Sequence, residues 1–434
     1  MILVYTRKET ERLRYICSHI FKQILGMEFQ LCTDIQYFKG YDGYKLNYSD
    51  IFMENILNIS PRDLLFEKDI HSQEIIFSDY QGIPICFLNQ SSESALPFDV
   101  FAACFFFLSR YEEYLPHEKD AHQRYEVSNS LAYKHNFLHL AVVDRWIQLL
   151  ADKIQVQYPN ITFSKREFSF IPTYDIDLAY AYKHKSFWIT AAGFVRSCLK
   201  LDFKAIKKRI HVLSGKTPDP YYTFDFLSKL HQKYNLKPCY FFLVSKKRTK
   251  YDKNTSPRNK TFQTLIQSLS AKADIGLHTS YYIKDNPQKI DSELSSLQTI
   301  INQSIDKNRH HYLRFSLPES YQLLTSKGIK EEYSMGYVHT VGFRAGSCSP
   351  FYFFDLQKNQ ASDMLVYPLL FMENAILEKD VSQTIDYLIP FIEEIRQYKG
   401  TLVSLFHNQS FGCEGNEQKW KEVYEELLEI VIKP

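Results

Sequence analysis

The 434 residues carry 52 Lys and Arg against 50 Asp and Glu, a net charge of +2, with 45% apolar and 24% charged side chains. Such a composition is that of an ordinary folded chain of roughly two to three domains and excludes disorder. The balanced charge offers no electrostatic case for nucleic acid or an anionic membrane.

The chain opens MILVYTRKETERLRYICSHIF, without the basic head and run of about 7 to 15 apolar residues that a secretory signal needs. No signal peptide is expected. The longest apolar stretch, Leu96 to Leu108, contains Asp99 and is shorter than the roughly 20 residues that span a bilayer, so no transmembrane segment is expected. A polar string follows: Arg110, Glu112 and Glu113, then Asp120 and Arg124. Arg110 with Glu112 and Glu113 suits a buried ion network docking two domains, in preference to a polar-ligand site. The cysteines at 17, 32, 86, 104, 198, 239, 348 and 413 form no CxxC pair and read as reduced core thiols of a cytoplasmic protein.

Apolar positions 142, 143, 146, 147, 150 and 154 predict one buried helical face over Leu138 to Ile154. The period breaks at Pro159 and Asn160, which places a linker there and divides the chain into an N-terminal domain, 1–160, and a second part, 166–434. The second part alternates β-type runs with helical patterns, as parallel strands with crossover helices do. Seven runs are strand candidates: 167–175, 238–245, 273–278, 311–315, 338–344, 364–372 and 401–407. Helices are predicted over Thr223 to Asn235, Pro287 to Ile305 and Val381 to Tyr398, the last followed by Gly400 at a position of positive φ. Ser245 to Lys260 holds seven basic residues and one acid; it reads first as a solvated loop, and second as a contact for phosphate or an anionic glycan. The pattern fits a barrel or an open doubly wound sheet, and either puts its site at the carboxyl ends of the strands.

Polar residues gather at those ends. The first strand ends in Thr173-Tyr-Asp175-Ile-Asp177, the third in Gly276-Leu-His278-Thr-Ser280, the fifth in Gly342-Phe-Arg344 and the last in Ser404-Leu-Phe-His407-Asn408. Carboxylate oxygen and imidazole nitrogen suit a divalent ion that polarises a carbonyl and acidifies a water. A second carboxylate then serves as base, a second His as acid, and an Arg orients the carboxylate it faces. Taken singly, each piece has a plain structural reading: a cap, a turn or a surface ion pair.

In this order TYDID, GLHTS, GFRAG and LFHN resemble the NodB-type polysaccharide deacetylases, metal-dependent carbohydrate esterases, over residues 166 to about 410. The resemblance implies an α/β fold, a distorted seven-stranded (β/α) barrel behind a smaller N-terminal α/β domain to which it assigns no chemistry. It implies Asp175 as base, Asp177 and His278 as metal ligands, Arg344 as the residue orienting the base and His407 as general acid, with Glu373 orienting His407. It departs at Gly346, where the family has Pro, and at Tyr282, four residues after His278, where the family has a further His ligand. A phenol is a poor zinc ligand near neutral pH. The candidate replacement is His311, which by the period of two shares a strand face with Leu313 and Phe315. Tyr282 and Asn408 are assigned to substrate contact, Asn408 having a turn as its other reading. The resemblance thus implies a zinc- or other divalent-metal-dependent hydrolase removing an acyl group from an amino sugar or polysaccharide precursor, in surface-polysaccharide assembly. The alternative is a deacetylase-like carbohydrate-binding or assembly protein without catalysis.

Overall fold

The computed structural model describes residues 1–89, 91–376, 379–412 and 417–433. Among them fifteen strands run in chain order: β1 (Ile2–Thr6), β2 (Phe29–Cys32), β3 (Tyr44–Tyr48), β4 (Leu57–Ile59), β5 (Ser78–Tyr80), β6 (Ile83–Ile85), β7 (Ser169–Ile176), β8 (Cys239–Phe242), β9 (Asp274–Thr279), β10 (Lys307–His310), β11 (Glu331–Glu332), β12 (Phe351–Asp355), β13 (Gln360–Val366), β14 (Phe371–Met372) and β15 (Thr401–His407). The chain forms two units that interleave along the sequence rather than following one another. The first comprises Met1–Ser169, Phe315–Leu370 and Phe391–Leu402, the second Phe170–Arg314, Phe371–Pro390 and Val403–Pro434.

In the first unit β2, β1, β3 and β4 lie side by side, all parallel. All five residues of β1, ILVYT, are buried, as a central parallel strand covered on both faces requires. The helix Val100–Leu108 is also buried at every position. Its cap is Asp99, whose carboxylate accepts the N–H groups of Phe101 and Ala102 at 3.0 Å and the Tyr48 hydroxyl at 2.7 Å. That cap satisfies donors which a helix start otherwise leaves bare. Arg110, Glu112 and Glu113 form the expected ion network. It lies within this one unit, where Glu113 binds both Arg110 and Arg344. The helix Val142–Gln157 occupies the predicted periodic segment. Cys17, Cys32, Cys86, Cys104 and Cys348 are buried here, as Cys239 is in the second unit; Cys198 is exposed, against expectation, and Cys413 lies outside the described residues.

Two strand expectations fail in the first unit. Residues 338–344 form turns: Phe343 N–H donates to the Leu138 carbonyl at 2.9 Å and Gly346, at φ +65°, closes the bend. The run 364–372 is split, with Pro368 between β13 and β14, because proline has no N–H to give a ladder. The helix Val381–Gln397 also ends differently from expectation. Lys399, not Gly400, takes the positive φ (+53°), and Gly400 N–H donates to the Ile395 carbonyl at 2.9 Å. Gly400 is needed for space instead: a Cβ there would stand 2.4 Å from Cys348 Sγ and 2.7 Å from its carbonyl oxygen.

In the second unit the sheet order is β10, β9, β8, β7, β15, β14. The pairs β10/β9, β9/β8, β8/β7 and β14/β15 are parallel. Six strands stand here instead of seven, and among the described residues β10 and β14 do not pair to close a barrel. The strand expected at 311–315 lies earlier, at Lys307–His310, because Tyr312 (φ +62°) and Leu313 (φ +50°) turn the chain directly after it. The helices Phe224–Lys233 and Lys289–Ile301 fall inside their predicted spans. A hairpin of two further helices, Phe187–Leu199 and Phe203–Leu213, follows β7.

Candidate active site

The carboxyl ends of β7, β9, β10, β14 and β15 bring Asp175, Asp177, His278, Arg309, His311, Glu373 and His407 together, all in the second unit. Alternation along β7 sets Thr173, Asp175 and Asp177 toward one side. Arg309, on β10, donates from Nη1 to Asp175 Oδ1 at 3.1 Å and to Thr173 Oγ1 at 2.6 Å. Its guanidinium also lies 4.5 Å over the Phe241 ring of β8, a stacking that fixes its plane.

His278 sits beside Arg309 in register across β9 and β10. Its Nδ1 is 2.9 Å from the Arg309 carbonyl oxygen, which can only accept, so Nδ1 carries the hydrogen and Nε2 presents its lone pair to the site. Nε2 lies 3.3 Å from Asp177 Oδ1 and 3.5 Å from Asp175 Oδ2. His311 is set in the same way. Nδ1 donates to Asp252 Oδ1 at 3.0 Å, and Nε2 faces Asp177 Oδ2 at 3.4 Å. His407, at the end of β15, donates from Nδ1 to Glu373 Oε1 at 2.6 Å and turns Nε2 toward Asp177 Oδ2 at 3.7 Å. Glu373 Oε1 also accepts the His407 backbone N–H and the Ser410 hydroxyl, which locks it in place.

Burial opposes charge on Asp177, yet the His311 and His407 imidazoles hold its carboxyl well below the usual carboxylate range. Burial likewise opposes charge on His311, but Asp177 and Asp252 prevail and raise it to about 9. For His407 the desolvation is outweighed by Glu373, then by Asp177 and Asp175, and its pKa rises to about 10. The pocket therefore favours positive charge next to the Asp177 oxygens. Access is on the side of Asp177 and His407, whose side chains are 21% and 14% exposed, whereas those of Asp175, His278 and His311 are at most 4%.

Asp177, His278 and His311 offer one oxygen and two nitrogens within 4.8 Å of one another. That donor set, with one position left open, is the set used by catalytic zinc sites. Asp177 Oδ1 and His278 Nε2 are buried and have no hydrogen-bond partner, and each histidine is anchored through its other ring nitrogen, as metal-ligating imidazoles are. The residues fit a divalent cation.

The expected residues divide accordingly. Asp175, Asp177, His278, His311 and His407 come together, with Glu373 on His407. Arg344 does not join them. It lies in the first unit, bound to both oxygens of Glu113 at 2.7 and 2.9 Å and to the Gly336 carbonyl, and Arg309 holds Asp175 instead. Asn408 is buried and donates to the Leu178 and Tyr221 carbonyls, the tie of a turn. Tyr282 packs in an aromatic group with Tyr251 and Tyr281, with Lys289 Nζ 5.5 Å over its ring. His310 hydrogen-bonds Thr279 and is kept neutral by burial and by His278, at about 3. Two site residues were not anticipated: Arg309, and Asp252, the single acid of the basic loop 245–260. The signal for both was local, an Arg flanking the candidate His311 and one carboxylate among seven cations.

A family of unknown function, DUF7033, matches residues 2–159. No curated protein matches the chain. Among solved structures, a protein of Mycobacterium smegmatis assigned as a polysaccharide deacetylase aligns at 11% identity over 62% of this chain and 86% of its own, with a TM-score of 0.39. The allantoinase Puue aligns at 10% identity over 60% and 84%, with a TM-score of 0.37. A polysaccharide deacetylase of Bacillus cereus does so at 11% identity over 61% and 89%, with a TM-score of 0.29. At such TM-scores these likenesses bear on neither the activity nor the site. No helix among the described residues is long and apolar enough to cross a membrane.

Proposed function

We propose that this chain is a metal-dependent hydrolase that removes an acyl group, acetyl in the simplest case, from an amino sugar or acylated glycan precursor. The observation that carries the reading is the placement of a second carboxylate, Asp175, and three imidazoles around Asp177, each histidine presenting Nε2 inward. In this reading residues 1–160 are an accessory domain to a deacetylase-like part, 166–434, of which Phe315–Leu370 and Phe391–Leu402 fold into the first unit.

Asp177, His278 and His311 would hold the divalent ion, zinc in the first instance, which when bound supplies a Lewis acid that acidifies water and polarises the acyl carbonyl. Asp175 is the base: its Oδ1 is engaged by Arg309, and its Oδ2 takes the proton of the attacking water. His407 is the acid. Glu373 fixes its Nδ1 and favours the imidazolium, so Nε2 delivers a proton to the departing nitrogen or oxygen. Arg309 and Asp252 are positioning residues, acting through Asp175 and His311.

The test is metal content by mass spectrometry together with acetate release from N-acetylated glucosamine oligomers. The purified chain should hold one divalent ion and release acetate. His278→Ala should lose both, and Asp175→Asn should keep the ion and lose release. A chain that neither binds metal nor releases acetate would overturn the reading.

A further inference from the structure

The helical hairpin after β7 is built contrary to the rule for a water-soluble surface. In Phe187–Leu199, residues Trp188, Ala192, Val195 and Leu199 recur at the spacing of one helical face; in Phe203–Leu213, Phe203, Ile206, Ile210 and Leu213 do the same. Such stripes ordinarily face a core. Here Trp188 is 79% exposed, Leu199 81%, Leu201 73% and Phe203 72%. The two helices meet through other residues. The Arg209 guanidinium stacks over Phe194 and Tyr182 at 5.3 and 4.9 Å, and a Cβ on Gly193 would stand 2.5 Å from it.

Charge identifies what such a face meets. Residues 183–213 contain eight Lys and Arg against one Asp, in a chain whose total is only +2. On the second helix Lys204, Lys207, Lys208 and His211 are set round the helix from the apolar stripe and line a cleft of about 780 Å³ that Lys421 also borders. An apolar stripe rich in Trp, Phe and Leu with a basic shoulder is the design of a helix lying in a lipid interface. A second copy of the chain would oppose one cationic face to another, which disfavours self-association.

We infer that the hairpin Phe187–Leu213 docks this protein onto an anionic lipid surface, its apolar stripes entering the interface and its lysines meeting lipid phosphates. This inference does not rest on the proposed hydrolysis.

The experiment is sedimentation of the full chain with phosphatidylcholine vesicles with and without phosphatidylglycerol, at low and high salt. Trp146 and Trp420 are buried, so a blue shift of tryptophan emission on binding reports Trp188. The chain should sediment with anionic vesicles, less with neutral ones and less at high salt. Trp188→Ser with Leu199→Ser, and Lys204→Glu with Lys207→Glu, should each weaken partition by about tenfold or more while leaving the melting temperature unchanged. Failure of the unaltered chain to sediment would overturn the inference, as would undiminished binding by the charge-reversed variant. So would a dimer, seen without vesicles by sedimentation velocity, that the Trp188→Ser, Leu199→Ser variant dissociates.

Discussion

Arg309 Nη1 stands 3.1 Å from Asp175 Oδ1, with both side chains withdrawn from water. The same residue accepts the His278 Nδ1–H on its backbone carbonyl at 2.9 Å. One position on β10 therefore orients both the proposed base and a proposed ligand, the first through its side chain and the second through its backbone. Arg309→Met leaves the carbonyl in place and removes the guanidinium, so metal content should be retained while acetate release falls by about a hundredfold. Stranding a buried carboxylate should also cost about 3 to 5 kcal/mol in urea unfolding. Metal loss equal to that of His278→Ala would show that the two roles are not separate.

Asp252 acts on His311 as the Arg309 carbonyl acts on His278. Burial opposes its charge, but His311 and the Tyr281 N–H lower its pKa. Asp252→Asn should weaken metal affinity by about 10- to 100-fold, the usual effect of removing a partner behind a ligating histidine. Competition with a fluorescent chelator measures it, and unchanged affinity would remove Asp252 from the metal-binding set.

In the metal-free protein His407 should titrate near 10, and Glu373→Gln should bring it back toward the ordinary imidazole range. The sign for stability follows from the raised pKa: the folded state binds the proton more tightly than the unfolded state. The His407 contribution is therefore full below the unfolded value, about 6.5, and disappears as pH rises through about 10. Nuclear magnetic resonance of the imidazole protons and urea unfolding across that window measure both effects. A His407 that titrates near 6.5 beside intact Glu373 would contradict the assignment.

The end of the helix Val381–Gln397 separates two roles commonly given to one glycine. Gly400→Ala should destabilise by about 1 to 3 kcal/mol, since the added methyl meets Cys348 and not open space. Lys399→Gly should stabilise by up to about 1 kcal/mol by relieving a left-handed non-glycine residue. Thermal melts of the two variants should move in opposite directions.

The residues legible in the sequence were those that follow an apolar strand directly. Asp175, Asp177, His278 and His407 each end a run whose period is plain, and parallel topology carries such ends to one edge. His311 was legible as a candidate although its strand was not, because β10, KNRH, contains no apolar residue from which to read a period. Arg344 and Arg309 could not be distinguished by local pattern. What separates them is Glu113, more than two hundred residues away in sequence, which engages Arg344. Of the seven expected strands, 338–344 gave way to the turn closed at Gly346 and 364–372 was divided at Pro368; both residues were visible as letters but outweighed by the apolar residues around them.

Asp219 accepts the N–H groups of Ala181, Tyr182 and Lys183 on the outgoing chain and of Tyr221 on the returning one. A single carboxylate thus fastens both ends of the hairpin to one point. The excursion is a closed loop grafted on the rim, and the entropy of closing a loop grows only as the logarithm of its length, about 0.6 kcal/mol for each doubling. Its reach can therefore lengthen or shorten by whole helical turns with little effect on the cluster around Asp177, which makes the hairpin an interchangeable fitting.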